Sequence, residues 1–395
     1  MFGAAVALGA GILLAPQAVA ADKRGPGYLI PDSSGTPDSS HIGAYSIPGV
    51  NGVLYCGDPE LAGPDTAGGY RSAQPVASWT SKTTGTAASA EDLARAAYVL
   101  GKYGQTKNDG QAAAVDAVVY TYLEPGSTYA LPDGERALER LGYPNVPPSV
   151  KKRATGYLYE AAMFAGPYKV NIKPVDGQLK PGVKASVTLD VTSASGHKVP
   201  GVDLDLDVSG AAAGAGRITT NADGVATATI TPAKDGTVDL TAQVKTLPAT
   251  QLRALAPNDA KAQRLLLAGG ASSAQAEAHL KTESPKGALV VTKTAADTNK
   301  PLSGVEFAVK NGAGEAVATG KTDAKGIWQA NDLTPGTYTV HEVKAVEAYQ
   351  LAADQQVTVP DGKTADVAVK DVKIPEQPMP KPRPVTITVL PQTGA

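Results

Sequence analysis

From Tyr168 onwards the apolar residues recur at every second position, and this period restricts the fold of the C-terminal half of the chain. The alternating apolar residues are Val183, Ala185, Val187, Leu189 and Val191 in one run, and Val202, Leu204, Leu206 and Val208 in the next. Successive side chains of a strand point to opposite faces, so each run predicts a strand with one buried face. Asp223-Gly224 predicts a hairpin turn. We therefore expect residues 167–280 to form an all-β sandwich, with residues 265–267 as a late strand.

Helical spacing replaces this alternation in the N-terminal part of the chain. Ser89 is a suitable helix N-cap, and the apolar residues after it recur three or four positions apart. A second helix is predicted after Asn108, and a third over residues 149–164. The Gly-, Pro- and Ser-rich residues 22–50 are expected to be irregular. Together these segments predict a mixed α/β head over residues 22–165.

A second strand-rich region covers residues 286–374. The predicted fold class is therefore a multidomain chain, with a mixed α/β N-terminal head followed by two all-β sandwich modules. The 42 Gly and 30 Pro of the 395 residues agree with many turns and short strands.

Charge and cysteine content exclude some functions. The net charge is −2, so no basic field exists that would attract a nucleic acid, and no nucleic-acid partner is expected. Cys56 is the single cysteine, so the chain cannot form an internal disulfide. In an exported protein such a thiol is either reactive or paired with another molecule, although a buried, inert Cys is the alternative.

The first residues have the pattern of a secretory signal. The apolar run over residues 2–16 precedes Ala18-Val19-Ala20, an A-x-A site that predicts cleavage after Ala20 and a signal peptide over residues 1–20. The run is too short to span a membrane. No Lys or Arg precedes it, and a buried helix is the alternative. We expect a secreted protein.

The last residues resemble a sorting signal. Residues 375–384 read PEQPMPKPRP, which predicts an extended, semi-rigid spacer within residues 375–395. The spacer precedes Leu390, Pro391, Gln392, Thr393 and Gly394. This LPQTG sequence resembles the signal that sortase cuts between Thr and Gly before joining the protein to peptidoglycan. The resemblance implies sortase and the cell wall as partners, a wall-anchored location at the cell surface, and a membrane span and basic tail after Ala395.

Residues 286–374 resemble the B-type, prealbumin-like repeat of collagen adhesins and Gram-positive pilins. The resemblance lies in the sequence PLSGVEF over residues 301–307 and in the strand at Gly336-Thr337-Tyr338. Such domains often contain an isopeptide bond between a Lys of the first strand and an Asn or Asp of the last, promoted by an acidic residue. The resemblance therefore implies a bond between Lys293 and Asp371, with Glu342 as the promoting acid.

The strand period supports this assignment. Lys293, Glu342 and Asp371 each share the parity of the apolar residues in their strand, so all three are expected on the inner face. The neighbouring residues Lys310, His341 and Lys370 fall on the outer parity. Burial favours a neutral amine and a protonated carboxyl, which can react with each other. An unreacted buried salt bridge is the alternative.

Two further resemblances concern the other parts of the chain. The alternating runs within residues 167–280 resemble invasin-type bacterial Ig-like modules, which implies a spacer. The sequence Tyr55-Cys56-Gly57-Asp58 and the helix ARAAYVLGKYG resemble thioester domains, in which a Cys thiol is joined to a Gln side chain. The family Gln lies in a Gln-x-Ala-(Ile/Val)-aromatic motif, where this chain has Asp116 in the sequence DAVVY. Gln111, five residues earlier, is the candidate thioester partner of Cys56.

Other chemistry is less well supported by the sequence. Asp203, Asp205 and Asp207 alternate with apolar residues and therefore run along a line, whereas ligands of a metal ion converge on a point. We expect no metal and no cofactor. Cys56 and His41 are the one candidate nucleophile–base pair, and nothing in the sequence orients the His.

The predicted function is a cell-surface adhesin or pilin-like stalk protein that sortase displays on the cell wall, and not an enzyme. The alternative is a structural surface or sheath protein without a specific ligand. A secreted enzyme that uses Cys56 is a third class. The sequence does not identify a ligand.

Overall fold

The computed structural model describes residues 23–173, 177–213 and 216–376. The predicted signal peptide and the LPQTG sequence lie outside these residues. The chain is multidomain and consists mostly of β-sandwiches with a few helices. It divides into two compact units, the first ending at Lys281 and the second starting at Thr282.

The first unit begins with two strands where the sequence predicted irregular structure. Strand β1 (Lys23–Ile30) pairs antiparallel with β2 (Ser40–Ser46). Gly27 lies opposite Gly43, with φ values of +148° and +150°. A Cβ on Gly27 would lie 2.4 Å from the carbonyl oxygen of Ile42, so only glycine permits this approach. The prediction of an irregular segment was therefore wrong, because these glycines allow strand pairing.

Four α-helices follow among the described residues, and the first begins at the predicted cap, Ser89. They are α1 (Ala90–Val99), α2 (Asp109–Leu123), α3 (Glu135–Gly142) and α4 (Ser149–Phe164). The Ser89 hydroxyl accepts a hydrogen bond from the amide of Asp92, and the Asn108 side chain accepts one from the amide of Gln111. Helix α3 was not predicted. Helix α2 is buried on nearly all sides and contacts α1, α4, β1 and β2.

Twelve more strands complete the first unit. They are β3 (Tyr55–Cys56), β4 (Gln74–Pro75), β5 (Lys169–Lys173), β6 (Ala185–Thr192), β7 (Asp203–Ser209), β8 (Ala211–Ala213), β9 (Arg217–Thr219), β10 (Val225–Pro232), β11 (Gly236–Leu247), β12 (Leu252–Leu255), β13 (Leu265–Ala268) and β14 (Ser272–Thr282). A sandwich forms from two of the sheets, ordered β5-β6-β10-β8 and β14-β11-β7-β9. Its core contains the inward residues of both sheets, such as Leu189, Leu204 and Leu240.

The predicted hairpin at Asp223-Gly224 is a turn of another kind. Gly224 has a φ of +70°, and its amide donates to the carbonyl oxygen of Asn221. However, β9 before the turn pairs with β7, whereas β10 after it pairs with β6 and β8. The turn therefore carries the chain from one sheet of the sandwich to the other, and the hairpin prediction was wrong.

The late strand predicted for this sandwich belongs to a different sheet. Strands β12 and β13 lie between β3 and β4 in the order β3-β13-β12-β4. Leu265 pairs with Cys56, and Arg253 pairs with Pro75. The chain thus leaves the N-terminal part after α4, forms most of the sandwich, and returns to complete the sheet that holds Cys56. The placement of residues 265–267 in the sandwich was wrong, because their hydrogen-bond partners lie about 200 residues earlier.

The second unit is a sandwich of three and four strands. The strands are β15 (Gly287–Ala295), β16 (Glu306–Lys310), β17 (Ala316–Lys321), β18 (Ile327–Leu333), β19 (Gly336–Lys344), β20 (Gln355–Val359) and β21 (Thr364–Asp371). The sheets have the orders β18-β15-β21 and β17-β16-β19-β20. The first strand, β15, is parallel to the last, β21.

Among the described residues no helix is long and apolar enough to cross a membrane.

Candidate functional site

Three ionisable side chains meet in the core of the second unit. Lys293 lies on β15, Asp371 ends the parallel neighbour β21, and Glu342 lies on β19 of the facing sheet. In the register, Asp371 is opposite Ala295, two positions beyond Lys293, so the two side chains share one face of the sheet. The exposed fractions are 0% for Lys293, 3% for Glu342 and 0% for Asp371.

The Lys293 ammonium lies between the two carboxyl groups. Its Nζ donates to Glu342 Oε2 at 2.6 Å and contacts Asp371 Oδ1 even more closely. Glu342 Oε2 also accepts a hydrogen bond from the amide of Ala352, at 2.9 Å. Glu342 Oε1 and Asp371 Oδ2 are buried without a hydrogen-bond partner. The Phe307 ring centroid lies 5.5 Å from the Lys293 Nζ, so the surroundings are apolar.

This environment favours the neutral form of the Asp371 carboxyl. Burial raises the pKa of the Asp371 carboxyl, and the nearby Glu342 charge acts in the same direction, although Lys293 opposes both. A protonated carboxyl in contact with an amine has the geometry for amide formation. The outer-parity residues lie elsewhere: Lys370 donates to Asn299 at 2.9 Å, and His341 Nδ1 lies 2.6 Å from Asp354.

Cys56 lies in a second buried cluster, in the first unit. The thiol packs among Tyr45, Tyr120, Tyr129 and Leu265, and Cys56 is 1% exposed. Burial raises the pKa of the Cys56 thiol, and the negative charge of Asp116 raises it further. The side chain is therefore a protonated thiol at neutral pH.

The structure does not bring Gln111 to this thiol. The Gln111 Nε2 donates to the carbonyl oxygen of Tyr103 at 2.9 Å, and its Oε1 accepts from Arg153 at 3.5 Å. These bonds hold the side chain at the first turn of α2, away from the Cys56 cluster. Asp116, at the position of the family Gln, forms a buried salt bridge of 2.9 Å with Arg140. Burial raises the pKa of Asp116 to about 6, and Arg140 opposes that rise.

The Gln263 carboxamide lies at the edge of the Cys56 cluster, in contact with Tyr120. Leu265 pairs with Cys56, and the amide of Gly57 donates to the carbonyl oxygen of Arg264 at 2.9 Å. Gln263 precedes Leu265 by two residues, the spacing that returns a side chain to the same face of a strand, and its own amide donates to the carbonyl oxygen of Ala62 at 3.0 Å. Tyr120 packs in the cluster of Cys56 and donates its hydroxyl to Gln263 Oε1 at 3.4 Å. The Gln263 Nε2 donates to the carbonyl oxygen of Leu61 at 3.0 Å, so both ends of the amide are held.

A buried ion pair holds the two strands in this register. Arg264 donates to the Asp58 carboxylate from its backbone amide at 2.9 Å, from Nε at 2.8 Å and from one terminal nitrogen at 2.5 Å. Asp58 is fully buried, and the Arg264 guanidinium lies 3.4 Å from the ring centroid of Trp79. Asp58 follows Cys56 by two residues, and Arg264 follows Gln263 directly. The ion pair between Asp58 and Arg264 therefore positions Cys56 and Gln263.

A cavity of about 420 Å³ opens onto Gln263 and Tyr120. Its inner wall also includes Tyr45, Tyr129 and Arg140, and residues 59–66 form one side. Gln263 therefore lines a space that can hold a small molecule or a side chain of another protein.

Gln263 was not among the predicted site residues, because the strand after it was predicted to belong to the β-sandwich. The sequence did contain a pattern that distinguishes this strand from those of the sandwich. Leu265 to Leu267 are consecutive apolar residues, unlike the alternating strands of the sandwich, and this pattern is typical of a strand buried on both faces.

The enzyme and metal alternatives find little geometric support in the part of the chain that the structure describes. His41 makes no hydrogen bond to Cys56 there; its ring packs edge-on against Tyr45, and its Nδ1 has no hydrogen-bond partner. Asp203 accepts hydrogen bonds from Arg217 and Thr219, and Asp205 lies 3.7 Å from Lys245. Asp203 and Asp205 thus interact with side chains of the two neighbouring strands, β9 and β11.

Comparison with known proteins gives one family match. Residues 287–373 match the family model described as SpaA, a prealbumin-like fold domain. The second unit contains a prealbumin-like domain. The matched segment is well under half of the chain. No curated protein sequence matches the chain.

The fold is similar to that of a solved structure. The Bacillus anthracis TIE protein is 16% identical, with a TM-score of 0.53; the alignment covers 90% of this chain and 66% of that one. This chain therefore spans slightly less than two thirds of the length of that protein. Two weaker matches are pilins. The minor pilin of Streptococcus agalactiae is 20% identical over 54% of this chain and 98% of its own, with a TM-score of 0.25. The major pilin of Bacillus cereus is 15% identical over 52% and 70%, also with a TM-score of 0.25.

Proposed function

We propose that this chain is a surface adhesin whose head binds its target covalently through a thioester between Cys56 and Gln263. The observation that carries the proposal is the position of the Gln263 carboxamide. Gln263 lies two residues before Leu265, which pairs with Cys56, and Tyr120 and Leu61 orient the amide. A passive surface protein has no need for a buried thiol beside an oriented amide and a cavity.

The chemistry balances without a cofactor. The Cys56 sulfur attacks the Gln263 side-chain carbonyl carbon, and a carbon–sulfur bond replaces the carbon–nitrogen bond. The thiol proton passes to the leaving nitrogen, so ammonia is released. A primary amine that enters the cavity then attacks the same carbon, which gives an amide on Gln263 and restores the thiol. Gln263 replaces Gln111 as the proposed partner.

The prealbumin-like module acts as a reinforced stalk in this proposal. The Lys293 amine attacks the protonated Asp371 carboxyl, Glu342 transfers the protons, and water leaves. The amide then joins the first strand of the module to the last. A pulling force along the chain would pass through this bond and leave the strands between its ends folded.

Display at the surface completes the proposal. The signal sequence ending at Ala20 would direct export. The LPQTG sequence behind its Pro-rich spacer would serve as the substrate of sortase, which would join Thr393 to peptidoglycan. The target of the head is a surface that presents primary amines.

The test of the head is covalent labelling with methylamine. We expect wild-type protein to gain one methylamide on Gln263, found by peptide sequencing in a mass spectrometer, and to expose the Cys56 thiol. Cys56→Ala and Gln263→Ala should gain none. Gln111→Ala is the matched control, because it removes a carboxamide outside the cluster and should label as wild type does.

The second candidate function is a structural surface protein without a ligand. The buried Lys293–Glu342–Asp371 cluster alone favours it, since reinforcement serves any stalk. Wild-type protein in which Lys293 and Asp371 are joined but Cys56 and Gln263 are not, or which labels equally after Cys56→Ala, would contradict the thioester and leave this second candidate.

A further inference from the structure

One hydroxyl group is directed at the oxygen where negative charge would develop in the head. The Tyr120 hydroxyl donates to Gln263 Oε1 at 3.4 Å, and Tyr120 is 3% exposed. The Gln263 nitrogen points to the carbonyl oxygen of Leu61 instead. The donor is therefore on the oxygen side of the amide, and the departing nitrogen is on the other side.

The surroundings of Tyr120 keep its hydroxyl in place as a donor. Burial raises the pKa of Tyr120, as does the negative charge of Asp116, so the hydroxyl stays protonated at neutral pH. The Arg140 guanidinium carbon lies 5.0 Å from the Tyr120 ring centroid and 5.7 Å from that of Tyr129. Arg140 is in turn fixed by Asp116 and by the carbonyl oxygen of His41. This stack prevents the ring from turning away from Gln263.

We infer that Tyr120 is a catalytic residue of the head, whose hydroxyl stabilises the oxyanion on the Gln263 side chain during both formation and opening of the thioester. The inference rests on the proposed Cys56–Gln263 reaction and names a residue for it. The position also accounts for the aromatic residue at the end of the sequence DAVVY, whose Asp116 holds Arg140 against the ring.

The same oxygen carries the charge in both steps. When the Cys56 sulfur adds to the carbonyl carbon, the oxygen gains the electron pair of the double bond, and it returns this pair as ammonia leaves. When an amine adds to the thioester, the oxygen gains the pair again and returns it as the thiol leaves. A preorganised donor lowers both barriers, because it is already directed at the oxygen and does not have to reorient as the charge develops.

Tyr120→Phe tests this role in the full chain. It removes one oxygen atom and keeps the ring against Arg140. We expect the rate of methylamine addition to fall by about 10²-fold, the effect of losing one oxyanion donor. Failure of the thioester to form at all in a variant with the native near-UV circular dichroism would support the same role. Tyr122→Phe is the matched control. It removes a hydroxyl from the same helix that donates to the carbonyl oxygen of Leu158 at 3.2 Å, and the rate should not change.

The outcomes separate this inference from the proposed function. Wild-type protein without a thioester would contradict both. A thioester that forms and reacts at the wild-type rate in Tyr120→Phe would overturn the inference and leave the proposed function standing. If Tyr120→Phe does not fold, the infrared carbonyl band of ¹³C-labelled Gln263 in the wild-type thioester shows whether the carbonyl oxygen accepts this hydrogen bond. A frequency below that of an alkyl thioester in a nonpolar solvent supports the hydrogen bond, and an equal frequency overturns it.

Discussion

Glu342→Gln should prevent the proposed bond between Lys293 and Asp371 while nearly preserving the shape of the core. The substituted amide keeps one oxygen that can accept the hydrogen bonds of Lys293 and Ala352, at 2.6 and 2.9 Å in the wild type. It cannot shuttle protons as the acid does. The Lys293 amine and the Asp371 carboxyl should therefore stay separate groups in the variant.

The magnitude follows from the length of the closed loop. A bond between residues 293 and 371 closes a loop of about 80 residues, which by the chain-entropy relation for cross-links corresponds to about 4.5 kcal/mol. For a domain of this size, each kcal/mol shifts the melting temperature by about 4 to 8 °C. We expect the calorimetric transition of the second unit to fall by roughly 20 to 35 °C in Glu342→Gln.

Calorimetry of the full chain, together with peptide mapping, is the assay. The wild-type digest should contain one branched peptide that joins the Lys293 and Asp371 segments, and Glu342→Gln should contain the two separate peptides. Glu306→Gln is the matched control, because Glu306 is half-buried in a neighbouring strand and pairs with Lys321 at 3.0 Å. We expect the stability of the second unit to change by no more than about 0.5 kcal/mol in Glu306→Gln, which is usual for surface substitutions, and its melting temperature to shift correspondingly little. Separate peptides in the wild-type digest would refute the reasoning, whatever the melting temperatures.

Three other predictions concern the head and the sorting signal. Asp58→Asn should lower the free energy of unfolding of the first unit by about 3 to 5 kcal/mol, because it removes the buried charge that pairs with Arg264 and turns one accepting oxygen into a donor. Urea titration followed by Trp79 fluorescence in a Trp328→Phe background measures this change. His41 should titrate in NMR with a pKa of about 4, because burial and the nearby arginines lower this pKa from 6.5. The contribution of His41 to stability is then present above pH 6.5 and is lost as the pH falls towards 4. A titration midpoint at 6.5 would contradict the buried environment of His41. Thr393→Ala should abolish sortase-dependent release of the C-terminal residues in a peptide-ligation assay, and unchanged release would exclude LPQTG as the signal.

Local patterns of the sequence were sufficient to predict most elements. The alternation of Leu289, Val291 and Lys293 predicts a strand whose inner face includes the lysine, and Lys293 is fully buried in the structure. The Ser89 cap and the helix over residues 149–164 also depend only on neighbouring residues, and both predictions are confirmed. Such features follow from backbone geometry within a few residues.

Long-range pairing could not be predicted in the same way. The sequence shows that Leu265 to Leu267 form a strand but not which strand they pair with, since hydrogen bonds to Cys56 and to a strand of the sandwich are locally equivalent. Gln263 was missed for this reason. Gln111 was chosen because it lies near the motif in sequence, but the helix cap at Asn108 and the bond to Tyr103 direct its side chain elsewhere.

The intact mass of the purified protein tests the central claim, the formation of internal covalent bonds, most directly. We predict that the wild-type mass is below that of its own sequence by one ammonia and one water, the products of the Cys56–Gln263 and Lys293–Asp371 reactions. Cys56→Ala should restore only the ammonia, and Lys293→Met only the water. A wild-type mass equal to that of the unmodified sequence would contradict the account.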